Sequence, residues 1–192
     1  MSRGDATREI ILDEAGRLAR RVGLGGLTIG SLATQTGMSK SGLFAHFGSK
    51  ESMQLQVLDH AVERFTTEVI RPAIKEPRGE PRLRALFDHW LVWDSTEGGC
   101  PLVAATFELD DQPGPVREHL VASQRDWLDT IATVVSSGIT EGHFRSDTDP
   151  RQFAQDLDGV MLAYHVASRL LADPQAAARA RRGLDALLAA AA

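Results

Sequence analysis

Small, glycine and apolar residues fall at fixed intervals in "IGSLATQTGMSKSGLFAHF", residues 29–47, and the intervals are those a helix-turn-helix requires. Counted from Ile29, Ala33 is fifth, Gly37 ninth and Leu43 fifteenth. A small side chain at the fifth place lets the second helix cross closely. Glycine at the ninth accepts the positive φ of a tight turn, and Leu43 pins the second helix to a core, with Leu32 and Met38 adding buried contacts. The spacing predicts Thr28 as N-cap of a helix to about Thr36, a turn at Gly37, and a second helix from Ser39 to about His46.

Helical spacing recurs along the rest of the chain, while strand alternation does not. Ile11, Ala15, Leu18 and Val22 mark one stripe, closed by the glycines of "VGLGGLT"; Arg17, Arg20 and Arg21 lie off it. Ser49 is expected to cap a long helix from Lys50 toward Ile70, before Pro72, Pro77, Gly79 and Pro81 interrupt. Leu83, Leu86, Phe87, Trp90 and Trp93 form one face of a helix reaching about Thr96. Further helices are predicted over 101–110, from Pro115 and Val116 to about Ser137, and over 150–171 with Phe153, Leu157, Val160, Met161, Tyr164 and Leu171 on the apolar side. An alanine-rich helix follows Pro174. The expectation is nine helices, no strand and an all-α fold.

Charge is distributed unevenly. The chain carries −5 overall, yet residues 1–50 hold seven Lys/Arg against four acids, net +3, and the other 142 residues hold 14 against 22, net −8. A basic module on an acidic body is compatible with a phosphate partner, because binding needs only local positive potential. No run approaches the ~20 apolar residues of a membrane span, and "MSRGDATRE" lacks the apolar core of a signal peptide, so a cytoplasmic protein is expected. The single cysteine, Cys100, suits a reducing interior; it reads as a small buried hydrophobe, with a redox-sensing thiol as the alternative.

The first turn of the second short helix carries Ser39, Lys40, Ser41 and Gly42, short polar groups and exposed amides that can reach phosphates and base edges. Gly42 inside a helix costs on the order of 1 kcal/mol relative to alanine. Close approach of another backbone would explain it. Lys50 opens the next helix, so its ammonium and that helix's positive end could address one phosphate. For Lys40 the competing reading is a solvated surface charge; for His46, an exposed or locally bonded imidazole; for Arg17, Arg20 and Arg21, a hydrated face. Leu43 and Phe47 read as core.

Residues 7–51 resemble the DNA-binding domain of the tetracycline-repressor (TetR) family of bacterial transcription regulators. The matching features are Thr28, Leu32, Ala33, Gly37, "MSKSGLF", His46-Phe47 and "SKE", in one gapless register. The resemblance implies an N-terminal three-helix DNA-binding domain over 1–49 and a helical effector-binding and dimerisation domain over 50–192. It implies DNA contacts from Thr28, Ser39, Lys40, Ser41, Gly42, Phe44, His46 and Lys50. Two departures stand out. The family often has tyrosine where Phe44 and Ala45 stand, which removes a hydroxyl-to-phosphate bond. Ser31 occupies a place often held by glutamate, so the reciprocal capping box is expected to be weak.

In the body, Trp90, Trp93, Phe107, Trp127, Met161 and Tyr164 could line an apolar effector pocket or simply be core. Ala167, Ser168, Ala177 and Ala180 on the last two helices permit close pairing, between subunits or within one. The expected partners are a double-stranded DNA operator, a second copy of the chain and a small apolar effector, with no membrane partner. A repressor of this kind would bind a near-palindromic site with recognition helices about 34–36 Å apart. No G-x-S-x-G, H-E-x-x-H, P-loop or dinucleotide glycine pattern is present, so no catalytic residue and no cofactor is expected; a helical enzyme or a protein-binding module are the competing classes. The acids of "ELDD" at 108–111 read as solvated rather than metal-binding.

Overall fold

A computed structural model describes residues 3–192 of the chain, with side chains from residue 7 onward. The first two residues of the segment read for a leader, and the charges counted on Arg3 and Asp5, lie outside the described side chains. Among the described residues every regular element is helical. These are α1 (Arg3–Gly26), α2 (Ile29–Thr36), α3 (Lys40–Phe47), α4 (Lys50–Phe65), α5 (Arg71–Ala73), α6 (Glu80–Asp94), α7 (Pro101–Leu109), α8 (Pro115–Thr140), α9 (Pro150–Arg169) and α10 (Ala176–Ala191). A π turn, Thr66–Ile70, joins α4 to α5 without a break in the helical backbone, so the described chain has the expected nine rods. Pro72 lies inside this rod rather than ending it. A proline in a regular helix collides with the carbonyl four residues back, and the widened turn ahead of Pro72 relieves that collision. No helix among the described residues is long and apolar enough to cross a membrane.

The chain divides into two compact units, residues 1–64 with 100–122, and residues 65–99 with 123–192. In the first, α1 to α3 pack in sequence, and α7 lies against α1. Leu12, Ala15, Leu18 and Ala19 of α1 are buried in this unit, as are Leu32, Leu43 and Phe47. Val22, expected on the stripe, is 47% exposed. Directly after it Gly23, with φ 77°, breaks the helix, and Leu24 and Leu27 beyond the break are buried. His60 Nε2 meets Asp13 Oδ1 at 2.8 Å and ties α4 to α1.

The second unit is built on α6, α9 and α10, with α9 and α10 packed together. Leu83, Leu86, Phe87, Trp90 and Trp93 of α6 are all buried, as the spacing requires. Phe65 stands edge-on to both Trp93 (5.8 Å between ring centres) and Trp127 (5.0 Å), the T-shaped geometry that aromatic quadrupoles favour. The predicted apolar side of α9 holds for Phe153, Leu157, Met161 and Tyr164, but Leu171 is 66% exposed. The helix ends at Arg169 and the backbone turns through Ala172 at positive φ, which carries Leu171 off the stripe.

Asp158 of α9 is half-buried and accepts a hydrogen bond from Trp127. Burial raises its carboxyl above the ordinary range, with the Trp127 bond opposing that shift. An acid whose folded pKa is raised contributes stability when protonated and loses it as pH climbs through the folded value. Asp158→Asn keeps an acceptor for Trp127 and removes the charge. It is expected to melt above the parent at pH 7, with the advantage shrinking as acidification protonates the aspartate itself, which begins above the ordinary carboxyl range; melting scans from neutral into acid pH check it.

Candidate functional site

Helix α3 divides sharply between two environments. Leu43 and Phe47, one turn apart, are buried, whereas Ser39, Lys40, Ser41, Phe44 and His46 are exposed, with Phe44 at 57%. Ser39 is the N-cap: its Oγ accepts from Gly42 N at 3.1 Å and lies 3.2 Å from Ser41 Oγ. A Cβ on Gly42 would stand 3.1 Å from that same oxygen, so the capping hydroxyl gives a local reason for glycine there. The C-cap glycine, Gly48, has φ 72° and its N–H donates to Phe44 O at 2.7 Å. Ser49 then caps α4, accepting from Ser52 N at 3.0 Å.

The turn that sets α3 against α2 passes through Gly37 at φ 69°, and Ala33 is buried where the helices cross. Thr28 caps α2, with Ser31 N donating to Thr28 Oγ1 at 2.9 Å. The weak capping box expected from Ser31 is overturned. Ser31 Oγ lies 3.0 Å from Thr28 N and accepts from it, so the box closes in both directions with a hydroxyl in place of a carboxylate. The side chain of Lys40 reaches back over the start of α2, where its Nζ would come within 3.9 Å of a Cβ on Gly30. Thr28 and Lys40 are thereby gathered beside the α2 N-terminus, next to the Ser39-to-Gly42 turn.

Lys50 is exposed at the start of α4. Its Nζ donates to Gly25 O at 2.6 Å, in the glycine-rich loop at the end of α1 beyond the Gly23 break, and two further N–H groups of the ammonium take no part in that bond. Of the helix-one arginines, Arg17 pairs with Glu14, and Arg21 Nη2 donates to Gln35 Oε1 at 2.9 Å, linking α1 to α2. The same loop is bound by a residue that periodicity could not single out: Glu108 of α7, read from sequence as a solvated acid. Its Oε2 accepts from Leu24 N at 2.8 Å and its Oε1 accepts from Gly25 N.

Among the residues named for a pocket, Trp90, Trp93, Trp127, Met161 and Tyr164 are all buried in the second unit. Trp90 and Tyr164 meet edge to face at 5.8 Å. Phe107 stands apart from them, 58% exposed and in the first unit. Asp94 is the buried charged residue among those described, and its Oδ1 lies 2.7 Å from His165 Nδ1. Burial, followed by the Asp94 charge, holds the Tyr164 phenol above its ordinary pKa. Phe65, Asp94 and His165 were not legible as site residues, since their partners lie tens of residues away. Cys100 is buried. No cluster of three or more His, Cys, Asp or Glu is arranged for a metal ion among the described residues.

A three-helix head with a helix-turn-helix, followed by a larger helical body, defines a class of DNA-binding regulators. Residues 11–57 match the family described as bacterial regulatory proteins, tetR family, and residues 79–184 match the tetracyclin repressor-like C-terminal domain. The chain belongs to the TetR family of transcription regulators, with a DNA-binding helix-turn-helix and a ligand-binding domain. Its fold is similar to a TetR-family regulator of Cytophaga hutchinsonii (20% identity, TM-score 0.85, covering 100% of this chain and 97% of that one) and to a TetR regulator of Chloroflexus aurantiacus (26%, 0.83, 98% and 96%). It is also similar to AibR, solved in complex with isovaleryl coenzyme A and operator DNA (23%, 0.69, 82% and 85%). No curated protein sequence matches the chain significantly.

Because Ser39 is the N-cap of so short a helix, Ser39→Ala is expected to cost about 1 kcal/mol of stability with no DNA present. A shift of the urea midpoint at unchanged slope measures this, and an unmoved midpoint would contradict the capping role.

Proposed function

We propose that the protein is a homodimeric repressor that leaves a near-palindromic operator when a small apolar effector binds. Residues 1–49 act as the DNA-binding head and residues 50–192 as the effector-binding and dimerisation body. The observation that carries this reading is the two-sided α3. Leu43 and Phe47 are consumed in holding the helix, which leaves Ser39, Lys40, Ser41, Phe44 and His46 exposed and Gly42 partly so, at and beyond its positive end. Thr28 and Lys50 flank them as phosphate contacts, Lys50 through the N–H groups not committed to Gly25 O. AibR, a structural relative solved with both operator DNA and a ligand, supports the pairing of the two activities on one chain.

Dimerisation is assigned to α9 and α10. Val166, Leu170 and Leu171 leave apolar surface exposed at the end of α9, and the small Ala167, Ser168, Ala177 and Ala180 allow close helix approach. The effector is assigned to the aromatic body around Trp90, Trp93, Trp127, Met161 and Tyr164, whose lining favours an apolar molecule. Such a ligand releases DNA by binding better to a dimer whose heads stand at another separation, and the shift cannot exceed that difference in affinity.

Selection of native genomic fragments by the purified protein tests the function directly. The expected product is one near-palindromic site with half-sites a helical turn apart; enrichment of nothing, or of unrelated sequences equally, would overturn the reading. On the selected site, Lys50→Ala is expected to weaken binding to all duplexes alike and to flatten the salt slope by roughly one phosphate, about 0.9 on a log–log plot. Lys40→Ala should instead change the ranking among variant sites. Gel-shift titrations at several salt concentrations distinguish the two.

A further inference from the structure

We propose that Glu108 is a positioning residue for DNA recognition: from α7 its carboxylate grips the glycine-rich loop of residues 23–26, the end of α1 beyond its break at Gly23, and so fixes where α2 and α3 stand. The proposal rests on the DNA-binding reading above and concerns a residue that would not itself touch the duplex.

Three consecutive peptide units around Leu24 and Gly25 are held, the middle one on both edges. Glu108 Oε2 takes Leu24 N at 2.8 Å and Oε1 takes Gly25 N, while Gln54 Nε2 donates to Leu24 O at 2.7 Å and Lys50 Nζ to Gly25 O at 2.6 Å. The Gly25 peptides therefore lie between a carboxylate on the N–H side and an ammonium on the C=O side, an arrangement that aligns with the peptide dipoles and makes both bonds charge-assisted. The glycines serve this grip and not merely the turn. A Cβ on Gly23 would lie 2.8 Å from Oε2, and one on Gly25 would overlap Oε1. Gly23 also has φ 77°, which disfavours any side chain.

The loop leads into the recognition unit over a very short path. Leu27, fully buried, donates its N–H to Leu24 O at 3.2 Å, and the next residue, Thr28, is the N-cap of α2. Nothing between Gly25 and Thr28 is long enough to absorb a shift of the loop, so releasing the two amides moves the start of α2. Because α3 follows α2 across the tight Gly37 turn, it moves with it. An acid gripping this loop also has no favourable role against phosphate, which accords with a part played through the backbone.

Glu108→Gln tests this with almost no change of shape. The amide's oxygen can still serve one N–H, but its NH2 faces the other, donor against donor. Four readouts on the full chain are compared with the parent: melting temperature, exchange of the Leu24 and Gly25 amides, affinity for the genomically selected operator, and affinity for unrelated duplex. The expected result is faster exchange at those two amides, operator affinity reduced roughly tenfold, and unrelated-duplex affinity and salt slope unchanged. A purely structural role would lower the melting temperature and weaken both duplexes together. Gly25→Ala, which displaces the carboxylate from the other side, should reproduce the pattern and serves if Glu108→Gln folds poorly. Unchanged exchange, or operator affinity within about twofold of the parent at intact melting temperature, would overturn the proposal. A parent that selects no DNA would instead overturn the DNA-binding reading on which it rests, while the exchange data would still report whether the carboxylate holds the loop.

Discussion

Eight residues of α3 must satisfy a protein core on one side and leave a polar surface on the other, and the rest of the head is arranged around that constraint. A helix this short has little stability of its own. Its permanence comes from Leu43 and Phe47, each worth about 1.5–3 kcal/mol when fully buried, and from a cap at each end supplied by Ser39 and Gly48. The turns at Gly37 and Gly48 spend positive φ where only glycine adopts it cheaply. Held in this way, the outward residues need no packing partners within the head.

A second layer of order comes from backbone groups rather than side-chain packing. Helix termini and glycine loops expose N–H and C=O groups that must be satisfied, and here they are satisfied partly by neighbouring side chains and partly by residues distant in sequence. Thr28 and Ser31 close one helix start reciprocally, Ser49 another, and the loop before α2 is bound by Glu108, Gln54 and Lys50. The consequence is that the backbone just ahead of α2 is held by hydrogen bonds from α4 and α7 as well as by its own buried side chains. In the second unit the same role falls to aromatic edges and to one acid, Asp94, paired with His165.

Much of this was legible in the chain because its causes are local. The spacing of Ala33, Gly37 and Leu43 encodes a crossing, a turn and an anchor within fifteen residues, and the structure has all three. Val22 and Leu171 were misassigned because a period of 3.6 residues carries no mark of where a helix stops; Gly23 and Ala172, not periodicity, ended those stripes. Ser31 was underrated because the rule for capping boxes is framed around glutamate, although a hydroxyl this close to the N-cap serves as well. Glu108 to Leu24, Asp94 to His165 and Phe65 to Trp127 were beyond reach for a different reason. Each joins residues far apart in sequence, and no pattern within one element records such a partner.

Hydroxyl-radical footprinting of the protein, with and without the selected duplex, bears most directly on the two-sided helix. Phe44 and His46 are exposed on α3, while Phe107 is equally exposed on α7 and serves as an internal control. Strong protection of Phe44 and His46 by the duplex, with oxidation of Phe107 unchanged, is the predicted result. Undiminished oxidation of Phe44 and His46 in a complex that demonstrably contains DNA would contradict it.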